Sequence, residues 1–239
     1  MMYDLSAEVY DAIYTQMKNY AQEAKDLGVL LSQHARCPVK SLLDVACGTG
    51  LHLEHFRCQY DVEGLDLSEA QLAIARQRLP GLPLHLADMC TFRLDRTFDA
   101  VTCLFSAVGH LTDVDALHLA VQQMAAHLNQ GGVLIVEPWI LPDEFRDGSI
   151  HLNVVDEPDL KVTRVSVSRR EGNRSLLEMH HTVARPGQIR SFVEADALTM
   201  FTHDEYIEAF RAAGLSTHHQ AVAFTYTNRK SRGLYIGVK

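Results

Sequence analysis

With 239 residues, 47% of them hydrophobic, the chain can bury a substantial core, and its length suits one large domain or a domain with an insertion. A formal charge of −8 and a pI near 5.9 argue against capture of nucleic acid through a broad basic surface and favour a small-molecule partner. Five cysteines without a CxxC pair, the acidic residues Asp4, Glu8 and Asp11 near the start, and no apolar run long enough to span a bilayer predict reduced thiols in a soluble, cytoplasmic protein.

Tyr10, Ile13, Tyr14, Met17, Tyr20, Ala21, Ala24 and Leu27 recur at helical spacing and predict a helical cap from about 6 to 33, broken once near its middle. From Ser41 the pattern alternates, with strands at 41–46, 61–66, 82–87, 97–104 and 132–137 and helices from about 51, at 68–79 and at 113–128. Such alternation predicts an α/β fold with a doubly wound, Rossmann-like parallel sheet. Ser68 with Gln71 and Thr202 with Glu205 fit capping boxes at two helix starts. After Pro138 the period changes. Strands at 151–156, 160–169, 174–184 and 189–200, with turns at Glu157-Pro158-Asp159, Glu171-Gly172-Asn173 and Pro186-Gly187, predict an inserted antiparallel β-layer. A helix at about 203–213 ended by Gly214, then strands near 215–226 and 232–238 joined by the basic turn Asn228-Arg229-Lys230-Ser231-Arg232, return to the first pattern as an antiparallel edge. The expected organisation is one domain: a cap at 1–35, a core at 36–140 and 201–239, and a β-layer at 141–200 over the substrate site.

The chemistry concentrates where the first two strands end. Ser41-Leu42-Leu43-Asp44-Val45-Ala46-Cys47-Gly48-Thr49-Gly50 is an apolar strand running into a glycine turn, and Val62-Glu63-Gly64-Leu65-Asp66 ends the next strand in an acid. In open α/β sheets ligands lie across the carboxyl ends of the strands, and an acid there can accept ribose hydroxyls, so the pair points to an adenosyl cofactor. A dinucleotide fingerprint requires a third glycine on the opening helix to seat a pyrophosphate, whereas Gly50 is followed by Leu51-His52-Leu53-Glu54. No pyrophosphate cradle is evident.

Residues 41–50 resemble motif I of the class I S-adenosylmethionine-dependent methyltransferases, with Ala46 where that motif usually has glycine. Leu86-Ala87-Asp88-Met89, Phe98-Asp99-Ala100-Val101 and Leu128-Asn129-Gln130-Gly131-Gly132-Val133-Leu134 match the later motifs in order. Tyr10-Asp11-Ala12-Ile13-Tyr14, Phe105-Ser106-Ala107-Val108-Gly109-His110-Leu111, Val136-Glu137-Pro138-Trp139, Arg169-Arg170-Glu171-Gly172-Asn173 and Ser231-Arg232-Gly233-Leu234-Tyr235 look like the TDP-amino-deoxysugar N,N-dimethyltransferases of the desosamine and mycaminose type. Glu194-Ala195-Asp196-Ala197 departs from those enzymes, standing where a histidine is expected before the strand Leu198-Thr199-Met200-Phe201.

The resemblance implies S-adenosylmethionine as cofactor. Asp66 would hold the ribose hydroxyls, Asp88 the adenine amino group with Met89 against the ring, and Asp44 the glycine-turn amides and the methionine ammonium. Tyr14, Tyr20, Ala46, Cys47, Gly48, Gly50, Leu67 and Phe105 would complete the cofactor site. Tyr14 and His110 would lie nearest the transferred methyl, His110 either accepting the amine's proton or only positioning the amine; positioning is favoured, because a sugar amine already has a neutral fraction. Ser106, Glu137, Trp139, Arg169 and Arg232 would face the acceptor, the arginines suiting a diphosphate, although Trp139 could equally be packing. The histidines show no convergent spacing for a metal. The expected partner is a small-molecule acceptor, possibly a nucleotide sugar, met by a monomer or homodimer with no nucleic acid and no membrane. The alternatives are a class I methyltransferase for another small amine, amino acid or hydroxyl, and a noncatalytic cofactor-binding protein.

Overall fold

A computed structural model describes residues 7–221, 224–226, 229–230 and 233–239. In chain order the elements are α1 (Ala7–Met17), α2 (Tyr20–His34), β1 (Ser41–Val45), α3 (Leu51–Phe56), β2 (Asp61–Asp66), α4 (Glu69–Arg78), β3 (Leu84–Leu86), β4 (Phe98–Cys103), α5 (Val114–Ala126) and β5 (Leu128–Val136). There follow β6 (Ser149–Glu157), β7 (Leu160–Glu171), β8 (Arg174–Arg185), β9 (Gln188–Thr199), α6 (His203–Ala212), β10 (Ser216–Gln220), β11 (Thr225–Tyr226), β12 (Arg229–Lys230) and β13 (Leu234–Val238). The break between α1 and α2 has a local cause: the Asn19 side chain accepts the Gln22 backbone N–H at 3.0 Å and starts a new helix.

The main sheet has the order β10-β13-β5-β4-β1-β2-β3. Its strands from β5 to β3 pair in parallel, and β13 pairs antiparallel with both β5 and β10. The chain steps outward from β1 to β3, then returns to lay β4 on the other side of β1. That reversal opens a crevice at the carboxyl ends of β1 and β4, where open α/β sheets bind ligands. Both faces are covered, which explains the near-continuous apolar strands. Leu43, Val101 and Leu134 pack with Leu117 and Val121 of α5 and Phe210 of α6 on one side. Leu42, Ala100 and Val133 pack with Leu27 and Leu31 of α2, Leu53 of α3 and Leu72 of α4 on the other.

The four-stranded layer β6-β7-β8-β9 is an antiparallel meander turned at Gly172 (φ 60°) and Gly187 (φ 77°). Helix α1 packs Val9 and Ile13 against Val155, Val162 and Val183 of this layer. Further along its covered face the layer buries polar side chains, Arg164, Ser166, Ser168, Ser175 and His181, while Ile150, Leu152, Val165, Ile189 and Val193 are exposed. The covered face thus mixes apolar packing under α1 with buried polar groups further along, which find partners within the protein.

The strand expected at 215–226 is divided. β10 stops at Gln220 because its partner β13 begins opposite it at Leu234, and Thr225–Tyr226 pairs instead with Arg229–Lys230 as a separate ladder. β5 begins earlier than expected, at Leu128, with a register shift against β4 between Phe98 and Ala100. The rest of the basic turn, including Arg232, lies outside the described residues. Among the described residues no helix is long and apolar enough to cross a membrane.

Candidate active site

At the end of β1 the chain enters the left-handed region three times, at Ala46 (φ 57°), Gly48 (φ 58°) and Gly50 (φ 80°). The alanine keeps the turn at a steric cost of roughly 1–2 kcal/mol, which glycine would avoid. A methyl at Gly50 would lie 2.8 Å from Leu79 Cδ1 as well as being strained. Gly50→Ala is therefore expected to lower stability by about 1–2 kcal/mol, read as a shifted urea midpoint, and an unchanged midpoint would contradict the turn's geometry.

Asp66 closes the turn from β2. Its Oδ2 accepts the Gly48 N–H and its Oδ1 the Ser68 N–H, both at 2.8 Å. Burial raises the carboxyl above the ordinary range, opposed by these backbone donors. The same bonds explain why only one of the two expected capping boxes is complete. Thr202 and Glu205 exchange both bonds. Ser68 accepts the Gln71 N–H at 3.3 Å, but the Ser68 N–H is already held by Asp66. The Gln71 side chain, 4% exposed, turns instead into the cavity, its Oε1 lacking a hydrogen-bond partner among the described residues.

Asp44 is buried beneath the turn, accepts the Thr102 hydroxyl at 2.7 Å, and is pushed up to about 7 by burial. Behind β4, Phe105 (φ 53°) and Ser106 (φ 63°) form a strained left-handed pair. The Glu137 carboxylate accepts the Phe105 N–H at 2.7 Å and the Ser106 hydroxyl donates to the Pro138 carbonyl at 2.7 Å. These two, expected against the acceptor, brace the loop. Trp139 donates its indole N–H to Ser175 Oγ at 2.7 Å and packs beside Gly109, where an added Cβ would lie 3.0 Å from the Trp139 Cβ.

The cavity over the strand ends is about 510 Å³, a volume suited to a small molecule. Ala46, Gly48, Asp66, Leu67, Asp88, Met89, Phe105 and His110, all expected at the site, line it. Asp88 is exposed and accepts the Cys90 N–H at 2.7 Å. Tyr14 stands just behind this lining, its ring edge-on to Phe105 with centroids 4.7 Å apart and 4.4 Å from that of Tyr10, which does line the cavity. Cys47 is buried, its thiol pushed well up by desolvation, and Gly50 packs against α4; neither is among the lining residues. Tyr20 is also set back, edge-on to His52, with Lys18 Nζ 5.1 Å above its ring and 4.0 Å above that of Phe105. Arg169 is exposed and shares the outward alternation of Val165, so the structure turns it away from the cavity.

Four residues were not assigned to the site from the sequence. Arg164, buried in β7, donates to the Tyr14 hydroxyl at 3.1 Å and to Asn153 Oδ1. Asp11 accepts both the Thr49 hydroxyl and the Arg78 guanidinium at 2.6 Å, tying α1 to the glycine turn. Gln71 and Asp196 line the cavity. Arg164 left a signal as a charged residue in phase with Val162 and Ser166, and Asp196 one in the departure of Glu194-Ala195-Asp196-Ala197 from the family pattern.

Residues 42–132 match the family profile described as a methyltransferase domain. Over 99% of both chains, the protein is 46% identical to the dTDP-3-amino-3,4,6-trideoxy-alpha-D-glucopyranose N,N-dimethyltransferase of Streptomyces venezuelae. The chain belongs to the TDP-amino-deoxysugar N,N-dimethyltransferase group of the class I methyltransferases. The crystal structure of Streptomyces venezuelae DesVI superimposes with a TM-score of 0.92 at 45% identity, covering 97% of each chain. CalS10, described as an amino pentose methyltransferase from Micromonospora echinaspora involved in calicheamicin biosynthesis, was solved with S-adenosylmethionine and superimposes at 0.87 with 44% identity over 96% of each chain. The methyltransferase uses S-adenosylmethionine, and its site fits that group. The left-handed turn brings backbone against the cavity, and Gln71 Oε1 is a buried acceptor in need of a donor.

Proposed function

We propose that this methyltransferase dimethylates the amino group of a TDP-linked amino-deoxysugar. The observation that carries this reading is Asp196 of the β-layer, which lines the cavity with His110 on a covered face that also buries the polar side chains Arg164, Ser166 and His181; a polar roof of this kind suits a polar acceptor. The Streptomyces venezuelae relative, named for such a reaction, supports it.

S-adenosylmethionine supplies a methyl group already activated by its sulfonium, so the protein's task is alignment. Asp66 holds the ribose hydroxyls, Asp88 the adenine amino group with Met89 against the ring, and Asp44 the methionine ammonium. Gln71 adds an acceptor beside the glycine turn. Tyr10, Tyr14 and Phe105 form an aromatic wall that keeps water from the transfer axis, and Arg164 holds the Tyr14 hydroxyl in place. His110, at the cavity wall, is placed to meet the acceptor nitrogen.

Incubation with S-adenosylmethionine and a panel of TDP-amino-deoxysugars is expected to add one and then a second methyl to at least one member, followed by mass spectrometry. The same amino sugar without its nucleotide should turn over more slowly. Equal turnover of that truncated acceptor, or methylation of free glycine with no reaction across the panel, would move the assignment to a general small-amine methyltransferase.

A further inference from the structure

Two titratable groups from different parts of the chain meet at the cavity wall. His110 ends the single 3-10 turn after β4, Ala107–His110, and Asp196 stands on the inward side of β9. His110 Nδ1 lies 3.6 Å from Asp196 Oδ1, within ion-pair range for a protonated ring and a few tenths of an ångström beyond a hydrogen bond, a gap of the kind that closes when an active site engages its substrate. The carboxylate side chain is 13% exposed and the imidazole 36%, so the acid is held in the protein while the ring reaches solvent. Asp196 Oδ1 is steadied by the Ala197 N–H at 2.8 Å. The other charged groups around the pair are Arg174 from β8, Glu194 on the same face of β9, and Asp66 from β2. Glu194 is engaged 3.1 Å from His181 Nε2, and Arg174 donates to the Ala197 carbonyl at 3.1 Å. Burial raises the Asp196 carboxyl and the neighbouring imidazole draws it back down.

We propose that Asp196 is the positioning residue for His110, accepting its Nδ1–H and so leaving the lone pair on Nε2 for an N–H of the acceptor amine. A neutral imidazole has one donor and one acceptor nitrogen, and a carboxylate can satisfy only the donor. A partner on one nitrogen thereby decides what the other can do. When the acceptor binds as an ammonium, Nε2 takes its proton. The N–H bond breaks, the nitrogen keeps the electron pair, and the Asp196–His110 pair passes from net charge −1 to zero. The exposed ring then returns the proton to water before a second methylation. This inference takes from the proposed function only that the acceptor is an amine.

The first test needs no acceptor. Nitrogen-15 NMR of the ligand-free protein, with His110→Gln to assign the resonance, is expected to show neutral His110 as the Nδ1–H tautomer. In Asp196→Ala the neutral ring is expected to lose that bias and return toward the Nε2–H tautomer that a free imidazole favours in water. An Nε2–H tautomer in the parent protein, or an Nδ1–H tautomer that persists in Asp196→Ala, overturns the proposal. With S-adenosylmethionine and the amino sugar, Asp196→Ala should lower kcat roughly 10–100-fold, as for loss of an orienting partner, with little change in the KM for S-adenosylmethionine. Asp196→Asn, whose amide oxygen can still accept the Nδ1–H, should recover part of that loss. The expected NMR behaviour with no turnover of any amino sugar overturns the acceptor assignment and leaves the pair standing. Turnover with a parent ring in the Nε2–H tautomer overturns the pair alone.

Discussion

Asp44→Asn is expected to stabilise the ligand-free protein above neutral pH, and to do nothing of the kind in acid. The Asp44 carboxyl is 2% exposed and pushed up to about 7 by burial, against an ordinary value of 3.8. Between those two values the folded chain keeps a proton that the unfolded chain releases. The unfolding free energy therefore falls as pH rises through this interval, by up to roughly 4 kcal/mol at about 1.36 kcal/mol per pH unit. Below pH 4 both states are protonated and the term vanishes. Asparagine keeps an oxygen for the Thr102 hydroxyl and cannot ionise, so the variant escapes the loss. Urea unfolding at pH 5 and pH 8 reads the difference; an equal effect at both would show that Asp44 does not titrate in this window. The same charge has a use once a cation is present. On the proposed role, the methionine ammonium draws Asp44 into its ionised form, so cofactor affinity should rise with pH up to about 7 in the parent and lose that rise in the variant.

Asp66→Ala is expected to weaken S-adenosylmethionine binding by roughly ten- to a hundredfold, the loss of a charge-assisted partner worth ~1.5–3 kcal/mol. Two effects add. The ribose loses its acceptor, and the Gly48 and Ser68 N–H groups lose the carboxylate that sets the turn. Asp66→Asn separates them, since an amide oxygen can still take one N–H while the charge is gone. Calorimetry against the cofactor and against NAD provides the measure. Unchanged affinity in Asp66→Ala would remove the ribose assignment, and measurable NAD binding by the parent would contradict the reading of a turn without a pyrophosphate cradle.

What the amino-acid sequence determined by itself was the α/β order, the glycine turn and the acids at the strand ends. Each of these is a local property. Period and composition name the strands, positive φ selects Gly48 and Gly50, and a strand's last residue lies at the carboxyl edge of a parallel sheet whatever surrounds it. The inserted layer was visible as strands for the same reason, since its turns at Gly172 and Gly187 are written in consecutive residues. Only the tertiary structure decided which side of that layer is inside. Alternation gives two faces without saying which is covered, and here the docking of α1 through Val9 and Ile13 fixes the choice. It turns Arg164 toward Tyr14 and Asp196 toward His110, and sends Arg169 outward. It likewise gave Glu137 and Ser106 the partners Phe105 and Pro138 in a strained loop. A side chain's work depends on the polar group nearest it in space, and for Asp11 with Arg78, or Asp196 with His110, that group lies 67 or 86 positions away along the chain.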